Sequence, residues 1–167
     1  MKNLRTLAAV CAAILMWAIP NHAADTYSPA FEKLKTLVGN WEGKMEDGQI
    51  SRVSYRLTSS GSVLVETDMP GEPMEMLTLY HPDGDSVIAT HYCDAKNQPR
   101  MRASGGSGEI REIKFNFLDI TNLASPSTGY MRDLVITFQD DDHFTARWTY
   151  RENGKDSPYV FTYTRKK

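Results

Sequence analysis

The chain has 167 residues, enough for one domain of ordinary size with a core of its own. Nineteen basic residues stand against 21 acidic ones, a formal net charge of −2, and the one basic run is the terminal Arg165-Lys166-Lys167. That distribution argues against a nucleic-acid binder, which needs a concentrated basic face.

Residues 1–24 read as a cleaved secretory signal. Lys2 and Arg5 make a basic start, Thr6 to Ile19 run without charge, Pro20 breaks the run, and Asn21-His22-Ala23-Ala24 supplies the small residues a signal peptidase needs. The apolar run is shorter than the about 20 residues a membrane-crossing helix requires, so no membrane span is expected after cleavage. Cys11 is followed by the still apolar Ala12 to Trp17, unlike a lipoprotein cysteine, which opens a polar mature chain. The expected mature domain, residues 25–167, loses Lys2 and Arg5 and so keeps 17 of the 19 basic residues against 21 acidic ones, a charge near −4. Cys93 is then the sole cysteine, so no intramolecular disulfide can form. No Asn-x-Ser/Thr acceptor occurs. These features point to a bacterial periplasmic or secreted protein.

Ser28 can cap a short helix with Pro29 in its first turn, and Phe31, Leu34, Leu37 and Val38 then fall on one stripe, ended by Gly39. From Trp41 onward the period changes to two. Val53, Tyr55 and Leu57 alternate with polar neighbours. Similar runs follow at Val63 to Thr67, Met74 to Tyr80, Val87 to Cys93, Met101 to Ala103, Ile110 to Phe117, Leu134 to Phe138, Phe144 to Tyr150 and Tyr159 to Thr164. Turn residues separate them: Ser60-Gly61, Pro70-Gly71, Asp83-Gly84, Gly105 to Gly108, Asp140 to Asp142 and Asn153-Gly154. Asp119 to Gly129 has no period and is expected to form a loop over the barrel mouth. The pattern predicts an all-β fold, an antiparallel up-and-down barrel of about nine or ten strands with one short N-terminal helix.

Two turns predict register. Asn153-Gly154 as a two-residue turn pairs Glu152 with Lys155, Arg151 with Asp156, Trp148 with Tyr159, Ala146 with Phe161 and Phe144 with Tyr163. Those aromatic positions share one face, and that face is expected to be the interior. Asp83-Gly84, read the same way, pairs Tyr80 with Val87, Thr78 with Ala89, Met76 with His91 and Met74 with Cys93.

Gly39-Asn40-Trp41 after a short helix resembles the Gly-x-Trp signature that opens the first strand of lipocalins and their calycin relatives. The resemblance implies a tryptophan inside the closed end with a basic residue of the last strand across it. Arg165 is placed for that role, and such a pair is worth ~0.5–2 kcal/mol. The mature chain also resembles a group of uncharacterised bacterial lipocalin-like domains at Val53-Ser54-Tyr55, at Thr90 to Cys93 followed by Asn97 to Met101, and at Arg151 to Lys155. It implies the fold and transfers no activity. Nitrobindin-like haem barrels are more distantly similar, and no histidine here occupies their haem-ligand motif near the chain end.

The stretch Thr90-His91-Tyr92-Cys93-Asp94 holds the most unusual chemistry. In the predicted register His91 and Cys93 share a face with Met74 and Met76, a soft, largely apolar wall with a few polar handles. A packed core is the competing reading of the methionines. A buried histidine, by contrast, needs a hydrogen-bonding partner. His91, Cys93, Met74 and Met76 are soft enough for Cu(I), but same-face residues on one strand are ~6–7 Å apart, which counts against a metal site. Cys93 with His91 would be the enzyme reading, but the spacing is long for a nucleophile–base bond, and no hydrolase or phosphate-loop motif is present. Arg100, in a predicted loop with Asn97 and Gln98, can hold a ligand carboxylate or pair with Asp94. Asp140 to Asp142 is expected to be a solvated acidic turn, with His81 and His143 solvated too.

The sequence thus predicts a monomer or weak dimer that binds a small, largely apolar molecule inside the barrel without a cofactor. The expected lining is Val53, Tyr55, Met74, Met76, Thr78, His91, Cys93, Arg100 and Trp148. The alternatives are haem or soft-metal binding through His91, an enzyme using Cys93 with His91, and a filled barrel acting through its surface.

Overall fold

The computed structural model describes residues 27–44 and 48–167. The expected signal segment and its cleavage site lie outside these residues.

The helix forms where the caps place it. In α1 (Pro29–Lys35) the Ser28 hydroxyl accepts from the Phe31 N–H, Pro29 sits in the first turn, and Ala30, Phe31 and Leu34 are buried. Leu37 stays buried in the turn that follows, whereas Val38 is 42% exposed and leaves the stripe. The Ala30 N–H donates to the Gly105 carbonyl, and the Gly105 N–H to the Asp85 carbonyl, which fastens α1 across one end of the barrel. Gly105 has to be glycine: a Cβ there would stand 2.2 Å from the Asp85 oxygen.

Ten strands make the wall: β1 (Gly39–Lys44), β2 (Ile50–Thr58), β3 (Val63–Asp68), β4 (Met76–Asp83), β5 (Ser86–Tyr92), β6 (Gln98–Ser104), β7 (Glu112–Thr121), β8 (Tyr130–Phe138), β9 (His143–Glu152) and β10 (Lys155–Lys166). Each pairs antiparallel with its chain neighbour, and β1 pairs with β10 to close the barrel. Closure leaves no unpaired edge. The β9–β10 register follows Asn153-Gly154 as predicted, with Trp148 opposite Tyr159 and Phe144 opposite Tyr163. Both turn residues have positive φ, 50° and 75°, the conformation the tight turn demands.

The β4–β5 register differs from expectation. The turn is Gly84-Asp85, with Gly84 first at φ 57°, so Tyr80 faces Ala89 and Thr78 faces His91. A shift of two residues keeps every side chain on its predicted face. Met74 is displaced altogether. The Met69–Glu75 segment is closed by bonds from the Glu72 N–H to the Met69 carbonyl and from the Glu75 N–H to the Glu72 carbonyl. Strand β4 therefore starts at Met76, and Met74 is 51% exposed. Strands β6 and β7 are longer than predicted, because Gln98, Pro99 and Arg100 pair with Thr121, Ile120 and Asp119. Gln98 and Arg100 are thus strand residues, and the mouth loop shrinks to residues 122–129.

The helix end of the interior is apolar and aromatic. Phe144 lies edge-on to Trp41 and stacked on Tyr163, with centroids at 4.7 and 4.9 Å. The Trp41 indole N–H donates to the Leu37 carbonyl, and the Arg165 guanidinium lies 4.1 Å over the indole. Arg165 also donates to the carbonyls of Thr36, Val38 and Asp141 and pairs with Asp142, so the acidic turn joins this seal. Of the expected aromatic interior, Trp148 and Tyr163 are buried, Tyr150 and Phe161 are half-buried, and Tyr159 is 38% exposed at the opposite end.

Candidate functional site

Four inward residues on consecutive strands stand side by side: Tyr55 on β2, Glu66 on β3, Thr78 on β4 and His91 on β5. Because strands tilt in a closed barrel, this rank climbs from the middle of β2 to the end of β5 farthest from α1. All four are buried. The Tyr80 hydroxyl donates to Glu66 Oε2 at 2.5 Å, Tyr55 also hydrogen-bonds Glu66, and Thr78 Oγ1 lies 3.0 Å from His91 Nδ1. The Thr78 hydroxyl also acts on the Tyr80 phenol, favouring its ionised form as a donor would, so His91, Thr78, Tyr80 and Glu66 lie in one row.

The electrostatics follow from burial. Desolvation lifts the Glu66 carboxyl to about 7, against the pull of the Tyr80 hydroxyl, and nearby Asp68 adds to the rise. Asp68, the last residue of β3, is lifted to about 6 by burial, opposed by the Met69 N–H and the Ser51 hydroxyl. Burial drives His91 down to about 4, so its imidazole is neutral at ordinary pH. The Tyr55 and Tyr80 phenols are held well above their usual range, chiefly by burial and secondarily by Glu66. Among the described residues neither Glu66 nor Asp68 has a lysine or arginine partner.

Among the described residues three buried polar atoms have no hydrogen-bond partner: Asp68 Oδ1, His91 Nε2 and Asn97 Oδ1. All belong to the half of the barrel away from α1. Asn97, fully buried in the β5–β6 turn, donates from Nδ2 to the Gly129 carbonyl, which ties that turn to the mouth loop. The Trp148 ring sits 5.1 Å from the His91 ring.

The predicted lining is only partly assembled. Val53, Tyr55, Thr78, His91 and Trp148 are buried, and Met76 is half-buried at the start of β4. Cys93 lies just past β5, half-buried, its thiol raised by burial. His91 makes no bond to it, so the pair lacks the contact that nucleophile activation needs. Met74, in its exposed turn, does not share the face of His91, so the soft-ligand set of four does not form. Among the described residues no three His, Cys, Asp or Glu side chains are grouped to hold a metal ion. Arg100 points outward and forms a bidentate pair with Asp119, not Asp94. His81 is half-buried, with Nδ1 against the Pro82 carbonyl, while His143 is exposed beside Asp140. Clefts lie elsewhere, one of about 660 Å³ beside β1 and β10, and they are not lined by His91, Thr78 or Trp148.

Glu66 and Asp68 were missed in the sequence because Val63, Val65 and Thr67 look like the inner face of β3. The usable signal was Tyr55 and Tyr80, inward on both neighbouring strands and each with a hydroxyl that burial obliges to find an acceptor.

No family model matches the chain, and no curated protein matches it. Among solved structures it is similar to the crystal structure of Rv2717c from M. tuberculosis, with a TM-score of 0.60 over 85% of this chain and 100% of that one, at 15% identity. At that identity the likeness shows the fold alone: a closed ten-stranded antiparallel barrel, consistent with lipocalin-like architecture.

Proposed function

We propose that this protein is a small-molecule binder whose site is the half of the barrel interior farthest from α1. The observation that carries the reading is the set of three buried polar atoms without partners among the described residues, Asp68 Oδ1, His91 Nε2 and Asn97 Oδ1. Leaving a polar group buried and unpaired costs about 1–3 kcal/mol, and such groups concentrate where a ligand supplies the missing bond. Trp148 beside His91 and Met76 opposite Asp68 offer apolar surface, the usual mixture of a ligand site. We place the protein in the periplasm or outside the cell, on the strength of the signal-like residues 1–24.

Titration of the purified protein with the neutral fluorophore N-phenyl-1-naphthylamine tests the interior. Saturable enhancement that weakens at least tenfold in His91→Ala and Trp148→Ala supports it. No enhancement in the folded wild type, or enhancement indifferent to both substitutions, overturns it. Native mass spectrometry of protein purified without denaturation reads any retained molecule directly.

A further inference from the structure

The three unpartnered atoms share one chemical character. Asp68 Oδ1 is a carboxylate oxygen, an acceptor. Asn97 has committed Nδ2 to the Gly129 carbonyl, so its remaining atom Oδ1 is also an acceptor. His91 can be either, and its neighbours decide. An ionised Glu66 only accepts, so Tyr80 must donate to it. The Tyr80 oxygen is then free to accept from the Thr78 hydroxyl, and Thr78 Oγ1 to accept from His91 Nδ1–H. This arrangement gives the imidazole N–H and both hydroxyls an acceptor. The reverse, with Thr78 donating to His91, leaves a buried Nε2–H unpaired. His91 Nε2 is therefore a bare lone pair.

The three unpartnered atoms are thus all acceptors, and the two carboxylates, Glu66 and Asp68, have no lysine or arginine partner among the described residues. Asp68 on β3 faces Met76, two residues before the Thr78 that faces His91, so the Asp68 and His91 backbones are roughly 12 Å apart, within the span of one small molecule. We propose that the ligand is a small organic amine, bound as its ammonium ion on Asp68, with its apolar body reaching toward Trp148 beside His91. This rests on the interior-binding reading above. A buried ammonium supplies both the donors and the countercharge that the wall lacks, whereas a carboxylate ligand would meet lone pairs and like charge.

Competition against N-phenyl-1-naphthylamine at pH 8 tests it, using 1-naphthylmethylamine, 1-naphthalenemethanol, its methyl ether and 1-naphthoate, which share an aromatic body. The expected order is amine, alcohol, ether, carboxylate, with the amine about tenfold tighter than the alcohol. In Asp68→Asn the amine's advantage should fall to about twofold or less while the fluorophore still binds. Long-range proton–nitrogen spectra of the unliganded wild type at pH 8 should show the His91 proton on Nδ1. Naphthoate or the ether competing as well as the amine, or a His91 proton on Nε2, overturns the proposal even where the fluorophore binds. A fluorophore that does not bind at all defeats the interior site itself.

Discussion

Replacing Glu66 by glutamine should stabilise this protein at alkaline pH and do nothing at acid pH. Glutamine keeps the shape of the side chain and an oxygen for the Tyr80 hydroxyl, but it removes a charge that burial disfavours. The Glu66 carboxyl moves from 4.5 to about 7 on folding. Below about 4.5 it is protonated in both folded and unfolded chains, and its stability contribution is fully present. Between 4.5 and 7 the unfolded chain releases the proton while the folded one keeps it, so stability is lost as the pH rises through about 7. Each pKa unit corresponds to about 1.4 kcal/mol, so the ionised carboxyl costs about 3 kcal/mol at pH 8. That is a sizeable part of the 5–15 kcal/mol that holds a typical domain, roughly. With a urea slope of about 2 kcal/mol/M, the Glu66→Gln midpoint should lie about 1.5 M above wild type at pH 8. At pH 4 the two midpoints should coincide. Asp68, raised to about 6, adds a second loss over the same range, and His91, lowered to about 4, adds a gain between about 4 and 6.5. Both groups are present in the two proteins, so the difference between them reports Glu66 together with its repulsion from Asp68. Equal midpoints at pH 8, or a gap unchanged between pH 8 and pH 4, would refute the reasoning.

Removing Arg165 tests the sealed end. Arg165→Ala gives up the contact over Trp41 and the bonds to three carbonyls, a loss of about 2–4 kcal/mol, and Arg165→Lys should restore less than half, because an ammonium lacks the planar fork. Thermal melts read both, and a loss below about 1 kcal/mol speaks against the seal. Asn97→Ala strands the Gly129 carbonyl, costs about 1–3 kcal/mol, and should speed amide exchange in residues 122–129. Unchanged exchange there means the mouth loop is held by other contacts. At Gly43 an added Cβ would lie 2.6 Å from Tyr163 Cδ1 and 2.9 Å from the Thr162 carbonyl oxygen, so Gly43→Ala should destabilise by about 1–3 kcal/mol and alter the near-UV aromatic dichroism. A neutral substitution would show that β1 and β10 separate freely at that point.

The parts of the fold that local chemistry dictates were readable from the chain. Ser28-Pro29 located α1, Asn153-Gly154 fixed ten strand pairs of β9 and β10, and period-two alternation put Trp148 and His91 inside. Reading stopped where two local patterns were equally regular. Asp83, Gly84 and Asp85 admit two turns one residue apart, and only packing across the strands chooses Gly84-Asp85. Pro70, Gly71 and Pro73 shorten the start of β4 by bonds that alternation does not reveal, which is how Met74 left the site. In β3 both faces carry plausible inner residues, and propensity favours the wrong one. Leu64, Glu66 and Asp68 point inward because Tyr55 and Tyr80 sit beside them, a fact of register between strands rather than of β3 itself.

The interior is divided by what it can afford to leave unpaired. At the α1 end, Trp41 and Arg165 have their donors satisfied, and the aromatic rings pack against one another. In the other half a carboxylate sits beside phenols in a buried rank, and three polar atoms have no partner among the described residues. A barrel selected for stability alone would fill that half with leucine and valine, which pack at no desolvation penalty. Glu66 and Asp68 each lower stability at neutral pH, so a role for them has to be sought in binding. A bound cation supplies one: it would pull both carboxyls back toward their ordinary range and return the free energy their burial removes. The same coupling makes ligand affinity rise with pH across about 6 to 7, as the two carboxyls ionise.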